Sequence, residues 1–276
     1  HKAHWGLLLA RTDMDDTKHR GLSYFIIDMN QPGVETQPLM QMNGHASFNQ
    51  VFLTDAEVLP DFQVGELGDG WQVATTTLMH ERRAADSLRS WGQASKGDGP
   101  IYDQERVETE TTMQPYKWYP QRAGRVDLIM DRAKETGAIK DPAIRQEIAK
   151  LMTLHKSAEW TARRARAAQE QGKPQGPEGS LGKLAASNVA RAAAKVHTLI
   201  SGADAMLTGE DSPMDGTIAE ILVSFPASSI AGGTDEIQKN IISERVLNMP
   251  KETRFDADKP FKDCLLYTSP SPRDLL

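Results

Sequence analysis

The most regular stretch of the sequence is Leu181-Gly-Lys-Leu-Ala-Ala-Ser-Asn-Val-Ala-Arg-Ala-Ala-Ala-Lys-Val-His-Thr-Leu-Ile-Ser-Gly-Ala-Asp-Ala-Met-Leu207. Two sets of small or apolar residues recur in it at every seventh position. The first set is Ala185, Ala192, Leu199 and Met206, and the second is Val189, Val196 and Ala203. Residues at this spacing share one face of an α-helix, and small side chains let a second helix approach closely. The stretch therefore predicts a long helix within a tightly packed helical domain.

Helical patterns extend on both sides of this stretch, from Trp71 to about Met249. We expect further helices near 71–91, 122–136, 142–171, 215–225 and 234–247, with breaks at Gly137, Pro142, Pro226 and the pair Gly232-Gly233. Glycine and proline mark such breaks because neither is suited to a helix interior. The segment 94–121 contains glycine, proline and charged residues without a clear period, so we interpret it as an insertion or a long loop.

The first sixty residues have the pattern of β-strands. Apolar runs separated by turn residues lie at Trp5–Arg11, Leu22–Met29, Val34–Leu39 and Ser47–Leu53. No helical pattern lies between these runs, and strands joined without a long crossover pair antiparallel. The expected fold class is therefore α+β, with a partial antiparallel β domain followed by an all-α C-terminal domain of the four-helix-bundle type.

The expected domain boundaries follow from these changes of pattern. Residues 1–65 form the β domain, residues 66–250 the helical domain, and residues 251–263 a C-terminal extension. Residues 264–276 share no pattern with the residues before them and are interpreted as a non-native tail. The alternative is a natural disordered tail rich in serine and proline. The sequence does not begin with methionine, so we expect its start to be truncated.

Composition narrows the possible function classes. The 276 residues are 39% hydrophobic and carry a formal net charge of -6, which gives no reason to expect nucleic acid as a partner. A single cysteine excludes an internal disulfide and suits a reducing compartment, so we expect a cytoplasmic protein. We expect no secretory signal, and no apolar run approaches the roughly 20 residues that span a bilayer. The histidines are scattered, so we expect no metal site.

The expected helix near 71–91 carries the first candidate site. One stripe of this helix is formed by Ala74, Leu78, Glu81, Ala85 and Leu88. A carboxylate among apolar side chains loses solvation, which makes it a stronger base, and Glu81 is therefore a candidate general base. Arg82 follows it and is placed to hold an anionic or carbonyl-bearing ligand. The alternative is a structural Glu81 that pairs with Arg82, Arg83 or a neighbouring helix.

The second candidate site is Ile230-Ala-Gly-Gly-Thr-Asp-Glu-Ile-Gln238. Thr234 is suited to cap a helix, and Asp235 and Glu236 would lie in the first turn, where the helix dipole favours acids. The two glycines allow the backbone to approach a bound phosphate or ring carbonyl at the helix start. The alternative is an ordinary capped helix after a glycine turn.

Four strings of residues resemble the acyl-CoA dehydrogenase family, and they occur in the family's order. They are Arg20-Gly-Leu-Ser-Tyr-Phe-Ile-Ile-Asp-Met29 with Pro32-Gly-Val34, Phe48-Asn-Gln-Val-Phe-Leu53, Gly70-Trp71 leading to Leu78-Met-His-Glu-Arg82, and Ala231-Gly-Gly-Thr-Asp-Glu-Ile-Gln-Lys-Asn-Ile-Ile-Ser-Glu-Arg245. The resemblance extends over residues 1 to about 263 and is closest to bacterial branches with a long insertion after the Glu-Arg helix.

The resemblance implies a fold of an N-terminal helical domain, a central β domain and a C-terminal four-helix bundle, of which this chain would supply the last part. It also implies FAD bound between the subunits of a homo- or hetero-tetramer. The implied reaction is α,β-dehydrogenation of an acyl-CoA thioester, in which a carboxylate removes the α-proton and the β-hydrogen leaves as hydride to the flavin. Electrons would then pass to an electron-transfer flavoprotein.

The resemblance also implies roles for particular residues. Family members place the base carboxylate at one of two positions, which correspond here to Gly232 and Glu81. Glycine cannot act as a base, so Glu81 is the expected catalytic residue, and Arg82 matches an arginine that helps to hold the acyl-CoA. The positions that match flavin contacts are Gly233, Thr234 and Glu236.

Two family motifs depart from the usual pattern. An Arg-x-x-Phe-Gly flavin motif is not visible within 94–121, and Leu199-Ile-Ser-Gly-Ala-Asp-Ala205 replaces the usual Gln-x-x-Gly-Gly-x-Gly. Two other functions therefore stay open: a non-catalytic partner subunit of a mixed tetramer, and an acyl-CoA oxidase on the same scaffold. The presence of Glu81 argues against the partner subunit, because a purely structural subunit has no need of a carboxylate there.

Overall fold

Five strands and seven α-helices lie in the part of the chain that the computed structural model describes, residues 2–91, 97–113, 120–173, 176, 178–251 and 258–264. The chain divides into two units by its internal contacts. The first unit comprises residues 1–41, 45–116 and 252–276, and the second comprises residues 42–44 and 117–251. The strands and the first two helices belong to the first unit, and the other five helices belong to the second.

The strands pair as two antiparallel sheets. They are β1 (Trp5–Arg11), β2 (Leu22–Asp28), β3 (Val34–Leu39), β4 (Phe48–Leu53) and β5 (Gln63–Val64). One sheet has the order β1-β2-β5 and the other is the hairpin β3-β4. The central strand β2 is the most buried, as expected for a strand with a neighbour on each side. The strands expected from the sequence and their antiparallel pairing are confirmed.

The first helix, α1 (Gly70–Trp91), packs on β1 and β2 of the first unit. The hydroxyl of the buried Ser23 on β2 accepts a hydrogen bond from the backbone N–H of Gly68 at 3.0 Å. A Cβ atom at Gly70 would lie 2.5 Å from the carbonyl carbon of Ser23, so only glycine fits at this approach. These contacts place the start of α1 in the first unit with β2. The domain boundary expected after residue 65 stays a prediction.

A second helix, α2 (Pro100–Met113), lies within 94–121, which corrects the interpretation of that segment as a long loop, while the interpretation as an insertion stays a prediction. Its described side chains are mostly exposed, so it has no apolar stripe that a periodicity search would detect. Polar pairs one turn apart support it instead: Gln104 donates to Glu108 at 2.7 Å, and Arg106 pairs with Asp103. Residues 94–96 and 114–119 of the segment lie outside the described residues.

The helices of the second unit are α3 (Ile129–Glu135), α4 (Pro142–Glu170), α5 (Glu178–Ser201), α6 (Thr217–Ser224) and α7 (Asp235–Arg245). α4 begins where the sequence predicts, with Pro142 in the first turn and Asp141 capping the N–H of Ala143 at 2.7 Å. Helices expected near 142–171, 215–225 and 234–247 are thus confirmed, together with the α+β fold class, and the long helix expected over 181–207 is confirmed as far as Ser201. No helix among the described residues is long and apolar enough to cross a membrane.

The core of the second unit lies between α3, α4 and α5. Its buried residues are Ile129, Ala133, Ile148, Leu151, Val189, Ala193, Val196 and Ile200. Val189 and Val196 thus occupy the predicted contact face, but Leu199 is 41% exposed and Met206 is 80% exposed. The seven-residue pattern fails at Met206 because α5 ends at Ser201 and the chain continues in a short 3-10 helix. Leu199 still lies within α5, in its last turn.

The helix expected near 122–136 is corrected to two short 3-10 segments and the seven-residue α3. The break lies at Gly124 and Arg125, which both adopt left-handed backbone angles, with φ of 83° and 44°. His197 on α5 fixes this break: its Nε2 lies 3.1 Å from the carbonyl oxygen of Gly124 and 3.2 Å from that of Arg125. Nε2 donates to these two acceptors, since carbonyl oxygens only accept.

Burial lowers the pKa of His197 below its usual 6.5, although the Arg125 and Gly124 carbonyls act in the opposite direction. The unfolded chain therefore binds a proton more readily than the folded chain, so the folded protein should lose stability as pH falls through about 6.5. We expect the pH dependence of the unfolding free energy between about pH 5 and 7.5 to weaken in His197→Gln, which keeps an N–H donor but does not titrate. Equal dependence in the parent and the variant would contradict this role.

Residues 258–264 follow the second unit in the chain but belong to the first unit. The N–H groups of Phe261 and Lys262 donate to the carbonyl oxygens of Asp16 and Met14, at 3.0 and 3.1 Å. The Arg11 guanidinium lies 3.5 Å from the centre of the Phe261 ring. Cys264, placed by the sequence at the start of a non-native tail, is buried here, because residues 258–264 pack on the β1–β2 loop. Residues 265–276 lie outside the described residues.

Candidate functional site

The turn before α7 has the geometry that its sequence predicts. Gly232 and Gly233 both adopt left-handed backbone angles, with φ of 71° and 93°, which glycine tolerates without strain. Thr234 is extended, and its hydroxyl oxygen accepts a hydrogen bond from the N–H of Ile237 at 3.3 Å. Thr234 is therefore the N-cap of α7, as expected. We call residues 230–234 the glycine turn.

Gln238 holds the glycine turn from within α7. Its side chain is buried, and its Nε2 donates to the carbonyl oxygens of Gly232 and Gly233 at 3.2 and 3.3 Å. A Cβ atom at Gly233 would lie 2.6 Å from this nitrogen, so the contact also requires glycine at 233. The sequence carries no signal for this role of Gln238, because its position in the helix does not show that its amide folds back onto the turn.

The two acids in the first turn of α7 differ in their environment. Glu236 is exposed, whereas Asp235 is only 4% exposed and points towards α5. Its carboxylate lies 3.1 Å from Lys183 Nζ and 3.2 Å from Arg191 Nη2, so two cations of α5 share one buried anion.

Burial alone would raise the pKa of Asp235, but hydrogen bonds from neighbouring side chains, among them Lys183, Ser229 and Arg191, lower it to about 2. Asp235 is therefore ionised at neutral pH. From the sequence alone, Asp235 is predicted only as an acid in the first turn of a helix. Lys183 and Arg191 lie eight residues apart on one face of α5, which indicates a place for an acidic partner. The sequence does not show which acidic residue that partner is.

Glu81 lies on α1 in the first unit, and its side chain is exposed. Leu78, in the same predicted stripe, is 52% exposed. The described part of this chain therefore does not bury Glu81, contrary to what the sequence predicts. The stripe shows only that these residues share one face of α1, and not that another segment packs on that face. The Arg82 side chain lies outside the described residues, so its expected contact stays a prediction. The described residues contain no cluster of three or more metal-binding side chains.

Comparison with known proteins identifies the family. Residues 123–247, which include α3 to α7, match the C-terminal domain model of the acyl-CoA dehydrogenases. The chain is 31% identical over 260 residues to the acyl-CoA dehydrogenase IpdE1 of Mycobacterium tuberculosis, covering 92% of this chain and 57% of that protein. The chain belongs to the acyl-CoA dehydrogenase family.

One further relative and one solved structure match this chain over a similar length, the structure as a likeness of fold. IpdE1 of Mycolicibacterium smegmatis is 33% identical over 257 residues, covering 92% of this chain and 56% of that protein. The solved structure of the Tcur3481-Tcur3483 steroid ACAD superposes with a TM-score of 0.68 at 20% identity, covering 91% of this chain and 58% of its own. The chain thus spans a little over half the length of each of these three proteins.

The predicted site residues of this chain are distributed over both units. Gly233, Thr234 and Glu236 lie together at the glycine turn and the start of α7, in the second unit. Glu81 belongs to the first unit. Gly232, the other position at which the family places a base, has no side chain. The second unit therefore contains a glycine turn held by side-chain hydrogen bonds, and the first unit contains an exposed carboxylate.

Proposed function

We propose that this protein is a flavin-dependent acyl-CoA dehydrogenase that oxidises the α,β-bond of an acyl-CoA thioester. The observation that carries the proposal is the glycine turn, built as a preformed backbone site in a chain that belongs to this family. Gly233, Thr234 and Glu236 would contact FAD, Glu81 would act as the base, and Arg82 would help to hold the acyl-CoA.

The glycine turn fits the ring system of a flavin. Two consecutive glycines leave the backbone without Cβ atoms, and open space surrounds the Cβ position of Gly232. α7 begins directly after the turn, and the N-terminal end of a helix favours an electron-rich group such as a ring carbonyl. Asp235 does not cancel this effect, because its charge faces Lys183 and Arg191. Bound FAD would supply the hydride acceptor.

Glu81 would supply the proton acceptor. The α-proton of a thioester is weakly acidic, so its removal requires a carboxylate held beside the α-carbon. Among the two positions that the family uses, Glu81 is the one that carries a carboxylate. Its exposure in this chain leaves it accessible, and a bound substrate would exclude water from it.

The assembly and the electron acceptor are part of the same proposal. We expect a tetramer with the flavin between subunits, located in the cytoplasm, and an electron-transfer flavoprotein as the acceptor. A mixed assembly is the second candidate, with this chain as the partner subunit. The description of one structurally similar protein as the pair Tcur3481-Tcur3483 favours it.

Anaerobic flavin reduction tests the proposal. The protein is purified as its full natural chain with FAD, and acyl-CoA thioesters of different length and branching are added without oxygen. We expect the absorbance of the bound flavin near 450 nm, roughly where oxidised flavins absorb, to decrease with at least one of them. A protein that binds FAD but is reduced by none of them would contradict the dehydrogenase. Flavin binding only with a second, co-expressed subunit would favour the mixed assembly.

A further inference from the structure

The glycine turn is anchored to α5 on both sides. Before the turn, Ser187 donates to the carbonyl oxygen of Ser228 at 2.8 Å, and Arg191 donates to the hydroxyl of Ser229 at 3.0 Å. After the turn, Lys183 and Arg191 bind the two carboxylate oxygens of Asp235. One face of α5 therefore fixes the two ends of a five-residue turn.

Gln238 fixes the middle of the same turn. Its amide donates to both glycine carbonyls, so these two oxygens are drawn towards α7. In a peptide whose carbonyl oxygen points inward, the N–H of the next residue points away. The contact thus orients the backbone N–H groups of Gly233 and Thr234 away from Gln238.

We infer that Lys183, Asp235 and Gln238 are positioning residues that hold the glycine turn in the conformation that receives the flavin. The inference rests on the proposed flavin-binding function. None of the three would touch the reacting atoms, and each would act through the backbone of residues 232–234.

Stability alone is a poor explanation for this arrangement. A buried ion pair loses hydration and often contributes little more to stability than apolar side chains of the same size. A buried ion pair nevertheless restricts the distance between the two segments that carry it, because a buried carboxylate must keep its cations within hydrogen-bond distance. Such a pair therefore fixes the start of α7 relative to α5. Ligand sites that depend on backbone N–H groups gain affinity from this kind of preorganisation.

A second lysine of α5 provides a matched control. Lys195 lies twelve residues after Lys183 on the same helix and pairs with Glu147 of α4 at 2.7 Å. It joins two helices by an ion pair, as Lys183 does, but does not contact the glycine turn or α7. Lys183→Met and Lys195→Met each remove one interhelical lysine and keep an unbranched side chain.

Hydrogen exchange in the flavin-free protein is the first measurement. We expect the amides of residues 231–237 to exchange roughly 3- to 30-fold faster in Lys183→Met and within about twofold of the parent in Lys195→Met. Gln238→Met, which removes the donor at similar volume, should reproduce the effect if Lys183→Met does not fold. Unchanged exchange at the turn in the variants that fold would overturn the inference, whether or not the protein binds flavin.

Flavin affinity and thermal stability are measured on the same variants. We expect the Kd for FAD to rise roughly 3- to 30-fold in Lys183→Met and to stay within about twofold in Lys195→Met, even where both lower the Tm equally. A Kd that follows the Tm in both variants would show a purely structural role and contradict the inference. Absence of FAD binding by the parent would instead contradict the proposed function, while the exchange result would still decide the positioning role.

Discussion

Glu81→Gln should slow reduction of the bound flavin by acyl-CoA roughly 10²- to 10⁴-fold, the usual contribution of a positioned general base. Glutamine has nearly the same shape as glutamate but cannot accept the α-proton as a carboxylate does. The rate is measured by mixing the flavin-loaded protein with a reactive acyl-CoA anaerobically and following the flavin absorbance. Acyl-CoA affinity, measured by titration, should change much less than the rate, because the substitution removes proton transfer rather than a binding contact.

His80→Gln is the matched control for this variant. His80 precedes Glu81 on α1 and is exposed as well, so its replacement perturbs the same part of the helix without removing the carboxylate. We expect it to leave the reduction rate near that of the parent. Glu81→Asp should retain part of the rate, since the carboxylate is kept but moved away by one methylene. Reduction of Glu81→Gln as fast as the parent would show that another group is the base.

The sequence predicted the elements whose signals are local. β1 and β2 are apolar runs separated by turn residues, and each lies within one residue of the expected bounds. α4 has a proline and a capping aspartate at its start, and α5 has a repeated apolar face. By contrast, α2 is a helix with polar pairs and no apolar face. Periodicity detects burial against a partner, so a helix without such burial gives no periodic signal.

The candidate site likewise contains features that follow from local sequence and features that depend on distant residues. The capping role of Thr234 and the left-handed glycines follow from residue type within a short segment. The inward direction of Asp235 depends on Lys183, 52 residues earlier in the chain. The exposure of Glu81 likewise depends on what covers α1, which its stripe does not specify. Sequence reasoning therefore locates the turn and the carboxylate but not the contacts that position them.

The break at Gly124 shows how such a contact overrides a local pattern. Residues 122–136 carry apolar residues at helical spacing, yet Gly124 and Arg125 adopt left-handed backbone angles that interrupt a helix. The reason lies on α5: a Cβ atom at 124 would be 2.7 Å from the Cβ of Ala193 and 3.0 Å from the backbone of Ala190. Close approach of the two segments places the Gly124 carbonyl within reach of His197 and buries the start of α3.

Gly124→Ala should therefore lower the free energy of unfolding by about 2–5 kcal/mol, combining left-handed strain with overpacking against α5. Gly137→Ala is the control, because Gly137 is also left-handed, with φ of 75°, but has open space around its Cβ position. Only the strain applies there, so we expect a loss of about 1–2 kcal/mol. Denaturant unfolding of both variants measures the difference. Equal losses would show that α5 yields to the added methyl group, and that the break is maintained by backbone preference rather than by the close approach of α5.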